Sequence, residues 1–348
     1  MRKSETVEVR LSDIQAGGLQ IGEGGIAVVD QVNGDQLVTQ LTDEHLLFQS
    51  DFAPGETRTF LVKPARKMES LAGSKVDGYF ALPREDYAWE NDRIAFRMYG
   101  PALAAEVNNG IDVWTKRVRS LIVRKWYDAD AKEGKGTYYH TDRGEGADFF
   151  AVGKTLGAGG SGIWYRDNLY QPGVFSACRM LSNGPIRTSF ELTYDTWEVQ
   201  GKKLKEIKRI SLDAGHNLNR IEVRFTGVNP RDSLLIACGL VKRKDVRLSG
   251  DEHSGWLALW GPTNDDPANG SLGTGVVLAP STVVGRHDDS VQVLLLARLT
   301  AGQSFVYWAG AGWTGSGDFT DASSWDSYLR EISLTFAQPL QISVVPRR

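Results

Sequence analysis

Short runs in which apolar and polar residues alternate are the feature that most limits what this chain can fold into. TVEVRL (6–11), TRTFLVK (57–63), RIAFRMY (93–99), RTSFELTYDTWEV (187–199), NRIEVRFTGV (219–228), GVVLA (275–279) and QSFVYWA (303–309) are the clearest. Each is rich in β-branched or aromatic residues and is bounded by Gly, Asn, Asp or Pro. Period two sends alternate side chains to opposite faces of a strand, so these runs predict antiparallel sheets with one face buried. Helical periodicity is scarce. The best case is Ser323 to Leu329, where a Ser-Ser cap precedes Trp325 and Leu329 at i,i+4. The expected fold class is all-β, an antiparallel sandwich with few short helices. The chain has 348 residues, enough for two domains, yet no low-complexity linker and no fixed-period repeat divides it. One unit over 1–348 is expected. Residues 1–75 read either as a smaller N-terminal β-layer joined through the polar stretch 63–78 or as an edge of the same sandwich.

Composition removes some function classes. Forty basic against 43 acidic residues gives a net charge of −3, which argues against nucleic-acid binding through overall charge. No apolar run approaches the ~20 residues of a membrane helix. Glycine, at 38 residues, exceeds the roughly 7% background. With ten Trp, 11 Tyr and 13 Phe, the chain suits a β-protein that stacks on flat or ring-shaped ligands. Cys178 and Cys238 lie in apolar stretches without a zinc-ligand partner and read as buried free thiols. The N-terminus, MRKSETVEVRLSD, carries positive charge but no apolar h-region. The protein is therefore cytosolic, or an initiator Met stands in place of a signal peptide.

Gly157-Ala-Gly159-Gly-Ser-Gly162 satisfies the dinucleotide pattern G-x-G-x-x-G. That pattern has meaning only between a strand and a helix whose N-terminus receives a pyrophosphate. Here it leads into the aromatic, Pro172-containing IWYRDNLYQPGVFSA. A glycine-rich turn that admits close backbone approach is the better interpretation.

Three segments carry more polar and aromatic chemistry than a strand edge needs. In DYAWENDRIAFRMYGP (86–101), alternation places Arg93, Ala95, Arg97 and Tyr99 on one face, opposite Ile94, Phe96 and Met98. The second face suits the core, and the first is expected to meet water or line a groove. In GIDVWTKRVRSLIVRKWY (110–127), read as a strand, Trp114, Lys116 and Val118 oppose Val113, Thr115, Arg117 and Arg119, so both faces carry charge. In TYYHTDRGEGADFFAVGKTLGAGGSGIW (137–164), Tyr138, Tyr139, His140, Asp142, Glu145 and Asp148 cluster among glycines. His140 stands among both phenols and carboxylates, and a histidine can move a proton either way near neutrality. A hydrogen-bonded turn residue is the plainer alternative for it. His216, His253, His287 and His45 read as structural or solvated. His140, Asp142, Glu145 and Asp148 could hold a divalent metal, but their spacing matches neither an EF-hand loop nor H-E-x-x-H.

DYAWENDRIAFRMYGPAL, NGIDVWTKR, YYHTDRGEGADFFAVGKTLGAGGSGIW and FVYWAGAGWTGSGDFTDASSWDSYL together resemble a bacterial family catalogued as domain of unknown function 4861. The similarity spans roughly residues 55 to 345. It implies a large antiparallel β-supersandwich of the galactose-mutarotase type and a periplasmic or secreted setting, with a cytoplasmic one as the alternative. It also implies a part in breaking down anionic polysaccharides. One member is understood to dehydrate ulvan fragments, which makes a hydro-lyase (oligosaccharide dehydratase) the expected class. The substrate would be a non-reducing-end glucuronate or iduronate, and the product a 4,5-unsaturated uronate.

Matching by segment, the resemblance implies Arg97 and Asn91 as carboxylate clamps and His140 as base or acid, with Tyr139 or Tyr99 as its complement. Trp89, Trp114 and Trp313 would form sugar-stacking walls, and Lys116 and Arg117 would meet neighbouring sulfates or carboxylates. The scheme needs no cofactor, although a bound divalent metal would serve the same neutralisation. The expected partner is an anionic oligosaccharide, with no nucleic acid and no membrane. The alternatives are a polysaccharide lyase, a glycoside hydrolase using two of Glu90, Asp112, Glu145 and Asp148, or a carbohydrate-binding protein without catalysis.

Overall fold

A computed structural model describes residues 1–22, 24–65, 73–82, 84–134, 136–229, 231–263 and 266–346. Every alternating run named above overlaps a strand. The largest sheet has nine strands. Its spatial order is Ala177–Asn183, Arg187–Thr193, Lys202–Asp213, Leu218–Thr226, Ser304–Trp313, Ser271–Leu278, Trp256–Pro262 and Arg247–Asp251, with Trp197–Val199 paired beside Lys202–Asp213. All of these pairings are antiparallel.

Two five-stranded sheets pack against it. One runs from Asn168–Tyr170 through Ala158–Tyr165, Ser233–Val241 and Gln292–Thr300 to Val283–Asp288. The other runs from Gly146–Ala147 through Asp112–Lys116, Ile94–Met98 and Asp86–Asn91 to Val76–Ala81. A parallel bridge between Ile111 and Gly157 joins them. One continuous apolar core, including Trp89, Phe96, Phe190, Ile210, Leu240, Leu295 and Tyr307, fills the space between the layers. This is an all-β antiparallel supersandwich.

Period-two patterning explains the layers. In Lys202–Asp213, Leu204, Glu206, Lys208, Ile210 and Leu212 are buried, while Lys205, Ile207 and Arg209 are exposed. The glycine-rich segment is itself a strand, Ala158–Tyr165, rather than a turn. Its glycines set how closely the layers approach. Gly159 has φ +115°, and a Cβ there would lie 2.1 Å from the Cβ of Ala309 in the opposite sheet. Tyr307 donates its phenolic hydrogen to the Gly159 carbonyl, at 2.9 Å, across the same gap.

Residues 2–64 hold two three-stranded sheets around their own apolar cluster of Val7, Val9, Ile26, Val28, Leu46, Phe48 and Phe52. Gln40 docks this layer on the sandwich: its Oε1 accepts from the backbone N–H groups of Ile186 (2.8 Å) and Arg187 (2.7 Å). Of the polar joining stretch 63–78, residues 66–72 lie outside the described residues.

The helix expected near Ser323 is Ala322–Ala337, capped by Asp321 through a reciprocal box with Ser324 and burying Trp325 and Leu329. The strand expected over 110–127 is corrected. It ends at Lys116, and Val123–Glu133 is a helix whose buried side chains are Val123, Trp126, Tyr127 and Asp130. That i, i+3, i+4, i+7 spacing lies behind the β-branched Ile122 and Val123, and the helix's apolar face is fixed by packing on the sheet. Cys238 is buried as expected, but Cys178 is only half-buried.

Candidate active site around His140

The sheet containing Asp86–Asn91, Ile94–Met98 and Asp112–Lys116 is buried on both faces. Ile94, Phe96 and Met98 point into the main core. On the other face, Ala81, Ala88 and Ala95 leave room for a second cluster of Trp114, Trp126, Tyr127 and Tyr139. The helix Val123–Glu133 and the turn Tyr138–His140 supply its cover. The expectation that the Arg97 face meets water is therefore corrected: Arg97 is 5% exposed.

A buried cation must be paired to be tolerated. Arg97 Nε bonds Asp112 at 2.7 Å, and its Nη2 bonds Asp148 at 2.8 Å. Asp86 stands 3.7 Å from Nη1. Nη1 also donates to the Tyr139 oxygen at 3.3 Å, and Nη2 to the Tyr99 oxygen at 3.1 Å. The guanidinium lies 5.0 Å from the Trp114 ring centroid. Burial pushes the Asp86 carboxyl up to about 6, against the pull of Arg97 and a hydrogen bond from Tyr127. Burial likewise raises the Tyr99 and Tyr139 phenols, which keeps both protonated at neutral pH.

His140 is where this network reaches solvent. Its side chain is 44% exposed, and Nδ1 lies 3.6 Å from Asp148 Oδ2 and 3.4 Å from the Asp148 carbonyl oxygen. The backbone N–H of Asp148 in turn donates to the Tyr139 carbonyl at 2.8 Å. An accessible imidazole is thus backed by a carboxylate that is itself tied to a buried arginine.

The structure brings His140, Tyr139, Tyr99, Arg97 and Trp114 together, but of these only His140 is exposed. Tyr99 donates to Asp112 at 2.9 Å, so its proton is already engaged. The other expected contacts divide sharply. Trp89 is a core residue, stacked on Phe96 and bonded through Nε1 to Asn219. Asn91 is fully buried and holds a turn: its Nδ2 donates to the carbonyls of Asp213 and His216, and its Oδ1 accepts from the N–H groups of Arg93 and Ile94. Trp114 stacks on Tyr139 with ring centroids 4.4 Å apart. Lys116 is enclosed with Glu90 at 2.5 Å. Trp313 is 1% exposed and donates to the Asn269 carbonyl. None of these five side chains offers a surface to a sugar, because each is covered by the packing around it. Arg117 does: its side chain is 40% exposed, pairs with Asp142 at 2.5 Å and lies 4.5 Å from the Trp313 ring centroid.

Asp142 and Glu145, expected as metal-ligand candidates, face Arg117 and Lys125 instead. Among the described residues no group of three or more His, Cys, Asp or Glu is arranged to hold a metal ion. Sequence reasoning missed Asp86 and Tyr127, the inner members of the network. The small residues Ala88 and Ala95 were the available signal, since they mark a face that must accommodate large partners. Tyr138, half-buried beneath the Arg143 guanidinium (4.5 Å), is the phenol of this turn with access to solvent. Two surface grooves, of about 390 and 500 Å³, lie elsewhere, along the N-terminal layer.

Comparison with solved structures finds partial likeness. A protein described as "Putative kojibiose phosphorylase from human microbiome" aligns with 50% of this chain and 25% of its own, at 15% identity and a TM-score of 0.31. A heparan sulfate lyase HepC mutant from Pedobacter heparinus aligns with 72% of this chain and 38% of its own, at 10% identity and a TM-score of 0.38. Likeness at that level fixes no function. In sequence, the chain is 33% identical over 369 residues to "Uncharacterized protein P7" of Formosa agariphila, covering 99% of this chain and 90% of that protein. The profile of the family described as "Domain of unknown function (DUF4861)" matches residues 1–342, and the chain belongs to that family.

Proposed function

We propose that the protein is a carbohydrate-active hydro-lyase. It removes water across C4–C5 of a non-reducing-end glucuronate or iduronate on an anionic oligosaccharide, such as an ulvan fragment, in a periplasmic or secreted setting. The observation that carries this reading is the exposed His140 imidazole, held at Nδ1 by Asp148 on the rim of the Arg97 network.

C5–H lies α to a carboxylate, and its acidity rises when that charge is neutralised. Arg97 and Asn91 are occupied internally, so the clamping passes to the exposed guanidiniums of Arg117 and Arg143. With Nδ1 turned to Asp148, Nε2 is the ring nitrogen left to take the C5 proton. Asp148 and Arg97 hold the ring in place and balance the imidazolium that forms. Tyr138 supplies the proton that lets the C4 hydroxyl leave as water. Electrons from the C5–H bond form the C4–C5 double bond as the C4–O bond breaks.

The test is turnover of uronate-terminated oligosaccharides, followed by the ultraviolet absorbance of the conjugated product and by product mass. Loss of one water without chain cleavage is expected. His140→Ala should lower turnover by about 10²–10⁴-fold, the usual worth of a proton-transfer group. Tyr138→Phe should lower it by a similar factor with KM little changed. Near-wild-type turnover by His140→Ala would remove the assignment. A split chain bearing the same chromophore would make the enzyme a polysaccharide lyase.

A further inference from the structure

We propose that Arg243 forms an oxyanion site at the end of the sandwich, taking a carboxylate or sulfate group. Four cations are buried among the described residues: Arg97, Lys116, Lys208 and Arg243. The first three each face a carboxylate within 3.0 Å. Arg243, 8% exposed, has no carboxylate within ion-pair distance among the described residues. Its Nε and Nη2 donate to the carbonyls of Pro262 (3.2 Å) and Leu272 (2.5 Å), at the facing ends of two adjacent strands. These bonds fix the guanidinium plane. Nη1 is buried and has no hydrogen-bond partner.

A buried guanidinium with only neutral acceptors is costly, and a bound anion would supply the missing countercharge and use the idle N–H groups. Burial alone lowers the Arg243 pKa to about 10, so the group still carries its charge at neutral pH. The neighbouring Lys242 does not offer a second cation, because it is already paired with Asp288.

The position links this site to His140. The Phe150 ring centroid lies 5.7 Å from the Arg243 guanidinium carbon. The Phe150 N–H donates to Asp148 Oδ1 at 3.3 Å, while Asp148 Oδ2 faces His140. One loop therefore touches both the imidazole dyad and the Arg243 guanidinium. Use of the site by a charged sugar rests on the proposed function; the anion site itself does not.

The test uses the whole protein with sulfate, and separately with glucuronate, each against chloride at equal ionic strength. Arginine residues are labelled with phenylglyoxal and mapped by mass spectrometry, and Tm is measured in parallel. Labelling of Arg243 should slow several-fold with at least one oxyanion, while the exposed Arg179 and Arg247 are unaffected. Protection by sulfate alone indicates a sulfate ester as the ligand group, and protection by glucuronate indicates a carboxylate. Arg243→Met should lose the anion-dependent rise in Tm, and His140→Ala should keep it even if that variant is inactive. The proposal is overturned if neither anion raises Tm or protects Arg243 from labelling, or if Arg243→Met keeps the whole of the wild-type Tm response. Should Arg243→Met fail to fold, the labelling of the wild-type protein decides.

Discussion

Asp86 shares Arg97 with Asp112 and Asp148, and its fully buried carboxyl is pushed up to about 6 from an ordinary 3.8. A carboxyl with a raised folded-state pKa binds its proton more tightly folded than unfolded. Its contribution to stability is complete below about pH 4 and is lost as pH rises through about 6. Asp86→Asn, neutral at every pH and still able to accept from Tyr127, should lack that loss. Relative to wild type, the variant should gain about 2–3 kcal/mol between pH 4 and pH 7. Urea denaturation at both pH values checks this, and parallel pH profiles for the two proteins would contradict it. The sequence showed Arg97 and Tyr99 on one face but not what covers them. Their partners come from positions 86, 112, 127, 139 and 148, and periodicity within one strand carries no information about distant partners. Trp89 misled for the same reason: an aromatic residue in a polar run resembles a sugar platform until Asn219 is seen to satisfy its indole N–H.

At the scale of elements, strands were legible and their cover was not. The faces of Ile94–Met98 follow the alternation, yet helix Val123–Glu133 was read as part of a strand. Its N-terminus is capped from outside the local sequence. Glu90 Oε1 accepts from the N–H groups of Ile122 (2.8 Å) and Val123 (2.7 Å), while its other oxygen holds Lys116. The N-cap position is Ile122, which has no side chain able to cap the helix. The glycine-rich strand gives the prediction at this scale. Gly159→Ala places a methyl group 2.1 Å from the Ala309 methyl at a positive φ, so the layers must move apart. A loss of about 1–3 kcal/mol is expected from overpacking. Thermal unfolding measures it, and a neutral substitution would show that the layers have slack there.

Across the whole molecule, the centre of the sandwich contains a charged pair. Lys208 Nζ lies 3.0 Å from Glu206 Oε1, and both side chains are fully enclosed. Burial raises the Glu206 carboxyl, and Lys208 opposes that shift. Lys208→Met leaves a carboxylate alone in the core and should cost about 3–5 kcal/mol. Adding Glu206→Gln should recover much of that loss, which a double-mutant cycle in urea would measure; additive losses would show that the two residues do not act as a pair.

The sheet between the two apolar clusters carries a further consequence, for how the chain finds its pairing. In Ile94–Met98, odd and even positions serve opposite compartments, one lined by hydrocarbon and the other by three carboxylates. A slip of one residue would drive Arg97 into the hydrocarbon and Phe96 among the acids. The polar network therefore penalises a slipped register on both faces at once, and only the native pairing leaves the surroundings of His140 complete.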